Sequence, residues 1–224
     1  MSWDNVWEEI FKTQAWGKYP EPELIRFVAR GFYKVEDRKS VKILEIGSGP
    51  GSNLWYLARE GFSFAGIDGS ETAVAQSCQR LDAECPGWRE SSQVTAAFFD
   101  NMPFEDGTFD AVIDNEGISC NSMEDSLRAY QESARVLKKG GRMFSRMFTT
   151  DTWGYGMGKS IDEYTFSDIP EGPLYQRGRI RFTPAEVVSQ LMSDFTMDPL
   201  EWVARSAGDD HEIREWIATG TKNG

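Results

Sequence analysis

Histidine, cysteine and positive charge are all scarce in this chain of 224 residues. His211 is its only histidine, and the three cysteines, Cys78, Cys85 and Cys120, stand at no metal-ligand spacing. No metal site is therefore expected, and the odd cysteine count reads as free thiols of a reducing compartment. Lysine and arginine number 24 against 36 acids, which gives a net charge of −12 and an isoelectric point near 4.6. A surface that negative repels phosphate backbones and anionic lipid, so neither nucleic acid nor a membrane is an expected partner. No apolar run approaches the roughly 20 residues of a membrane span. The opening Met1-Ser2-Trp3-Asp4-Asn5 has no basic segment ahead of an apolar one, so a cytoplasmic protein is expected.

Hydrophobic residues make up 40% of the chain, enough to build a core. Eight tryptophans and fourteen phenylalanines are a heavy load for this length, and some should line a pocket.

Ser2 can cap a first helix that carries Trp3, Val6, Trp7, Ile10 and Phe11 on one face. A second helix starts near Pro20–Pro22 and buries Leu24, Phe27 and Val28, with the aromatic loop Trp16-Gly17-Lys18-Tyr19-Pro20 between the two. Residues 1–40 thus read as a helical cap. From Val41 the pattern alternates between strand and helix. Strands are predicted at 41–46, 62–67, 94–99, 109–113 and 142–148, the last after a Gly140-Gly141 turn. Helices are predicted at 52–59, after Ser70, and at 123–137. Such alternation implies a parallel sheet with right-handed crossovers. Residues 150–182 break the rhythm with glycine, proline and aromatics (Trp153, Tyr155, Tyr164, Phe166, Tyr175), as a functional lid does. Thr183-Pro184-Ala185-Glu186 is a capping box that restarts a helix, and strands at 197–206 and 212–219 close the chain.

The most informative stretch is Val41-Lys42-Ile43-Leu44-Glu45-Ile46-Gly47-Ser48-Gly49-Pro50-Gly51-Ser52-Asn53, a buried strand that runs through a glycine turn into a helix. Glycines let the backbone approach a ligand at the helix N-terminus. Dinucleotide-binding folds use a similar loop, but here the third glycine comes one residue early. Glu45, two residues ahead of the first glycine, suits an ammonium group and would repel a pyrophosphate. Asp68 ends the second strand about twenty residues after the glycines, where an acid can accept from both hydroxyls of a ribose. Asp100, after the third strand, can accept from an adenine amino group, or simply form a turn with Asn101.

Glu45, Gly47, Gly49 and Gly51 complete the E-x-G-x-G-x-G signature, and over residues 41–149 the chain resembles class I S-adenosylmethionine-dependent methyltransferases. The resemblance implies an α/β fold: a Rossmann-like, seven-stranded, mostly parallel sheet with helices on both faces and a terminal antiparallel hairpin. It implies one methyltransferase domain over 1–224, with cap 1–40, cofactor-binding core 41–149, lid 150–182, and last helix and hairpin 183–224. The cofactor would be S-adenosyl-L-methionine, leaving S-adenosyl-L-homocysteine. Its expected contacts are Glu45, Gly47, Ser48, Gly49, Gly51, Asn53, Asp68, Gly69, Ser70, Asp100, Asn101, Met102, Asp114, Asn115 and Trp16.

Methyl transfer from a sulfonium needs positioning and exclusion of water more than covalent catalysis. An oxygen nucleophile usually also needs a base. In the family topology the turn Ala207–His211 lies on the ligand side of the sheet, which makes His211 a candidate base, against the plainer reading of a solvated turn. Arg146, late in the fifth strand, would meet the substrate or an acid such as Asp114. Arg177, Arg179 and Arg181 alternate, so an extended segment would present them together to an anionic group on the substrate, or else to surface acids. Tyr155 and Tyr164 could pack on that substrate. The expected acceptor is a small molecule, anionic or sugar-like, methylated on oxygen or nitrogen by a monomer or homodimer. A nicotinamide-dependent oxidoreductase and a non-catalytic S-adenosylmethionine-binding module are the rival readings.

Overall fold

A computed structural model describes residues 4–208 and 210–224. The expected cap at Ser2 and the contribution of Trp3 lie outside these residues. Helix α1 spans Val6–Thr13 and buries Ile10 and Phe11. The Asp4 carboxylate accepts from the Val6 N–H at its start. Helix α2, Pro22–Phe32, begins on proline and buries Leu24 and Val28 as the sequence predicts.

The core then alternates through β1 (Lys42–Ile46), α3 (Ser52–Arg59), β2 (Ser63–Asp68), α4 (Glu71–Glu84), β3 (Gln93–Ala96), β4 (Phe109–Asn115), α5 (Met123–Val136) and β5 (Leu137–Phe148). Ser70 and Ser122 cap α4 and α5 by accepting from the Ala73 and Asp125 N–H groups. After the insertion come α6 (Ala185–Leu191), β9 (Phe195–Met197), β10 (Glu201–Ser206) and β11 (Glu212–Lys222). The strands lie in the order β10-β11-β5-β4-β1-β2-β3, with β9 on the far end of β11. β1 to β5 are mutually parallel, β11 is antiparallel to β5, and β10 is antiparallel to β11. The Rossmann-like expectation therefore holds, with eight strands where seven were expected.

The extra strand arises at Asp198-Pro199-Leu200. Proline cannot donate to a ladder, so the predicted strand 197–206 divides into β9 and β10, which pair with opposite ends of β11. β5 begins five residues earlier than predicted, because Leu137 already pairs with Phe109; the register then shifts before Ala111 meets Arg142, and Gly140-Gly141 fall within that irregularity. β3 stops three residues early, at Ala96.

Both faces of the sheet are covered, so β1 and β2 read as nearly continuous apolar runs. Leu44, Ile46, Val112 and Met143 pack against α5 and α6, while Ile43, Phe64, Ile113 and Phe144 pack towards α2, α3 and α4. Residues 150–182 are more ordered than their composition suggests. They hold β6 (Lys159–Ser160), β7 (Thr165–Ser167) and β8 (Ile180–Arg181) in a small antiparallel sheet. Phe148, Ile169, Leu174, Ile180, Phe182 and Ile213 close a third apolar cluster beneath it.

Candidate functional site

A cavity of about 300 Å³ opens along the C-terminal ends of β1, β2, β4 and β5, within the size range of small-molecule sites. The glycine loop forms its floor, and Trp7, Phe11 and Trp16 of the N-terminal segment roof it.

The loop's geometry demands glycine at its two ends. At Gly47, φ is +66° and an added Cβ would lie 3.0 Å from the Gly117 Cα. At Gly51, φ is +81° and a Cβ would come within 2.1 Å of the Ser77 Oγ. Between them the Gly49 N–H donates to Asp68 Oδ2 at 2.8 Å, and the Ser70 N–H donates to Asp68 Oδ1 at 2.8 Å. Asp68 thus clamps the loop to the end of β2. Each of its oxygens keeps a further lone pair for a ligand donor. Burial pushes its carboxyl up to about 6 despite the two backbone donors.

Glu45 is 1% exposed. Its Oε1 accepts from Asn53 Nδ2 at 2.6 Å, and Asn53 Oδ1 in turn accepts from the Glu21 N–H at 3.1 Å. Oε2 is buried without a hydrogen-bond partner. Burial, opposed by Asn53 and aided by the Asp68 and Asp114 charges, pushes the carboxyl up to about 8. Asn115 Oδ1, also on the cavity wall, is buried and unpartnered, as are the donors Trp7 Nε1 and Ser48 Oγ. Orphaned buried polar atoms are costly, and here they converge on one space. The acceptors suit an ammonium or sulfonium, and the donors suit a carboxylate. A pyrophosphate does not fit that set.

Of the expected cofactor residues, Glu45, Gly47, Ser48, Gly49, Asn53, Asp68, Asn115 and Trp16 line this cavity. The others do not. Gly51 starts α3 behind the loop, and Gly69 lies past the clamp. Ser70 is engaged as the α4 cap and as a donor to Glu8. Because β3 ends early, Ala97, Phe98 and Phe99 pass the cavity where Asp100, Asn101 and Met102 were expected, and Met102 sits in the core. Asp114 is fully buried below the floor. Its Oδ2 accepts from Ser145 Oγ at 2.6 Å and its Oδ1 from the Ile118 N–H at 2.8 Å, so it anchors the turn after β4.

The expected catalytic and substrate residues are scattered. Arg146 faces the cavity, but its partners are Glu21, Glu116 and Glu215, with Asp114 taken up elsewhere. His211 stacks on Trp153 with ring centroids 4.0 Å apart, in a separate shallow depression with Trp202 and Arg214. Tyr155 packs on Phe166 and Phe182, and Tyr164 against the main core. None of these three lines the cavity. The three arginines also diverge. Gln176 (φ +55°) and Gly178 (φ +71°) take left-handed conformations that break the alternation. Arg177 sits over the Trp16 ring at the rim, Arg179 pairs with Asp4, and Arg181 is fully buried.

Sequence reasoning missed Asp4, Trp7, Phe11, Phe99, Glu116 and Glu215 as cavity residues. Glu116 is marked by place: it follows β4 directly, in a left-handed conformation at φ +69°. Glu215 carries no local signal, since it reaches the site through the pairing of β11 with β5.

Among the described residues no group of three or more His, Cys, Asp or Glu side chains is placed to hold a metal ion. No described helix is long and apolar enough to cross a membrane.

Residues 43–141 match the model of a family described as a methyltransferase domain. A glycine/sarcosine/dimethylglycine N-methyltransferase of Actinopolyspora halophila is 30% identical over a stretch covering 76% of this chain and 30% of that protein. A demethylmenaquinone methyltransferase of Beutenbergia cavernae is 28% identical, covering 52% of this chain and 44% of that protein. The chain thus spans less than half the length of either curated relative. A solved S-adenosylmethionine-dependent methyltransferase from Methanosarcina mazei superposes with a TM-score of 0.72 at 19% identity, over 92% of this chain and 99% of that one.

Proposed function

We propose that the chain is a class I S-adenosylmethionine-dependent methyltransferase and that it methylates an oxygen or nitrogen of a small molecule. The observation that carries this reading is the set of unsatisfied acceptors beside the glycine loop, Glu45 Oε2 and Asn115 Oδ1. They suit the cationic methionine end of S-adenosylmethionine. Asp68 would take the ribose hydroxyls on its remaining lone pairs, and Ala97–Phe99 would border the adenine. When bound, the cofactor supplies an electrophilic methyl on a leaving group that needs no further activation.

The protein's part is position and dryness. Trp7, Phe11 and Trp16 close the cofactor side, with residues 1–40 as the cap. Pro173, Leu174, Arg177 and Ile180 of segment 150–182 wall the other arm. A roof of this kind keeps water from the methyl and holds the acceptor in line with it. His211, Tyr155, Arg179 and Arg181 have no place in this reading, since none of them lines the cavity. The anionic-acceptor expectation goes with them, because Arg179 pairs with Asp4 and Arg181 is fully buried away from the cavity.

Calorimetric titration with S-adenosylhomocysteine and with NAD tests the cofactor. Binding of NAD without binding of S-adenosylhomocysteine overturns the proposal. Incubation of pooled small metabolites with methyl-labelled cofactor then reads out the acceptor.

A further inference from the structure

The cavity has two arms, set by the strand order. One runs over β1 and β2, past the glycine loop and Asp68. The other runs over β4, β5 and β11, past Glu116, Arg146 and Glu215. In the second arm Arg146 Nη1 lies 2.8 Å from Glu21 Oε2 and 3.2 Å from Glu116 Oε1, and its Nη2 contacts Glu215 Oε2. Three carboxyls therefore surround one guanidinium. The Glu215 side chain is 4% exposed, and its Oε1 is buried with no hydrogen-bond partner. Glu116 is held in place by a left-handed backbone that a non-glycine residue adopts only when its surroundings enforce it.

From this arrangement we infer that the second arm recognises the acceptor by a protonated amine carried on an apolar body. The inference rests on the methyltransferase reading for which arm the acceptor enters. Charge balance argues for the amine. Burial and the adjoining Glu215 carboxyl hold Glu116 well above the usual carboxylate range, and a cation placed beside the two relieves that penalty. Three carboxyls face the single guanidinium of Arg146, so acidic groups outnumber the cation and an ammonium balances the set. A carboxylate or phosphate would instead add a charge of the wrong sign beside three glutamates. The other cations on the cavity wall do not reverse this. Arg177 is over Trp16 and donates to Gln14, and Arg205 stands exposed on β10 at the rim. Phe148, Leu174, Ile180 and Ile213 supply the apolar surface next to the cluster. The same carboxyls can relieve the ammonium of a proton. The N–H electrons then stay on nitrogen as its lone pair and the proton rests on a glutamate oxygen.

The test uses three matched probes, benzylamine, benzyl alcohol and benzoate, titrated calorimetrically at pH 7 into the full chain saturated with S-adenosylhomocysteine. Benzylamine is expected to bind at least tenfold more tightly than benzoate. Glu215→Gln and, separately, Glu116→Gln are each expected to weaken the amine at least tenfold and leave benzyl alcohol nearly unaffected. Thermal melting of each variant shows that it is folded, and two variants guard against loss of one. Absent amine binding, a preference for benzoate, or amine affinity unchanged in both folded variants overturns the inference. Binding of S-adenosylhomocysteine is measured first and alone, so failure of the cofactor reading is seen apart from failure of the amine site.

Discussion

The Gly49 N–H and the Asp68 carboxylate meet at 2.8 Å, so the acid at the end of β2 also fixes the height of the glycine loop that ends β1. A residue expected only to contact ligand is therefore part of the site's own frame. Asp68→Ala removes the partner of two buried backbone donors as well as a ligand acceptor. Each orphaned donor costs about 1–3 kcal/mol. The variant should melt lower and bind S-adenosylhomocysteine roughly ten- to a hundredfold more weakly. Asp68→Asn keeps one acceptor and should fall between the two. Unchanged affinity in folded Asp68→Ala would exclude the residue from cofactor binding.

Gly51 supplies a test of the loop that involves no ligand. A Cβ there meets the Ser77 side chain and a backbone in the left-handed region. Gly51→Ala should cost about 1–2 kcal/mol for the backbone and about 1–3 kcal/mol for the overlap. Ser77→Ala in the same chain removes the closest atom and should restore part of the loss, as read by urea unfolding. A fully additive double variant would mean that the overlap is relieved elsewhere.

The parallel core was legible because its signals are local: periodic apolar residues, a cap serine at 70, and a glycine signature with its acid. Glu45 and Asn53 are eight residues apart on one strand-turn-helix unit, and their pairing follows from that unit. What was not legible is set by long-range pairing. Glu215 joins Arg146 across 69 residues, and Glu21 joins it from the far end of the chain. The arginine alternation failed for a local reason, since Gly178 permits a turn that an alternating pattern does not reveal. His211 was placed at the correct end of the sheet, yet the hairpin carries it beyond the cavity to stack on Trp153. Side of the sheet follows from topology, whereas reach into a site depends on loop packing.

Glu45 gives the site a pH dependence. Its carboxyl is raised from 4.5 to about 8, so the folded protein holds a proton there that the unfolded chain releases. Between those values the folded state binds more protons, and its stability falls as pH rises. Glu45→Gln abolishes this contribution and should stabilise the ligand-free protein at pH 8, on the order of 5 kcal/mol at most. A cation beside Oε2 favours the carboxylate. Binding of S-adenosylmethionine at pH 7 should then release a proton, and affinity should rise between pH 6 and pH 8. Calorimetry in two buffers of different ionisation enthalpy reads this directly. Equal heats in both buffers for the wild type would place the ammonium away from Glu45.

Arg181 decides between the two readings of the arginine run. It has no exposed surface, its Nε donates to Thr183 Oγ1 at 3.1 Å, and its charge opposes the burial that pushes Asp114 up to about 6. A substrate-binding arginine would line the cavity, and this one does not. Arg181→Met should therefore act on stability. Loss of the guanidinium leaves the Asp114 carboxyl buried without that compensating charge, which costs at most about 3–5 kcal/mol, offset in part because Arg181 Nη1 and Nη2 are themselves buried without hydrogen-bond partners. Adding Asp114→Asn removes the stranded charge and should recover a large part of that loss. Affinity for S-adenosylhomocysteine should change less than twofold in whichever of the two variants is folded at 20 °C. Equilibrium urea unfolding gives the stabilities, and calorimetry on the folded protein gives the affinities. If Arg181→Met unfolds like wild type and instead weakens binding of a methyl acceptor, the guanidinium faces substrate, and the ligand-facing reading of the run returns.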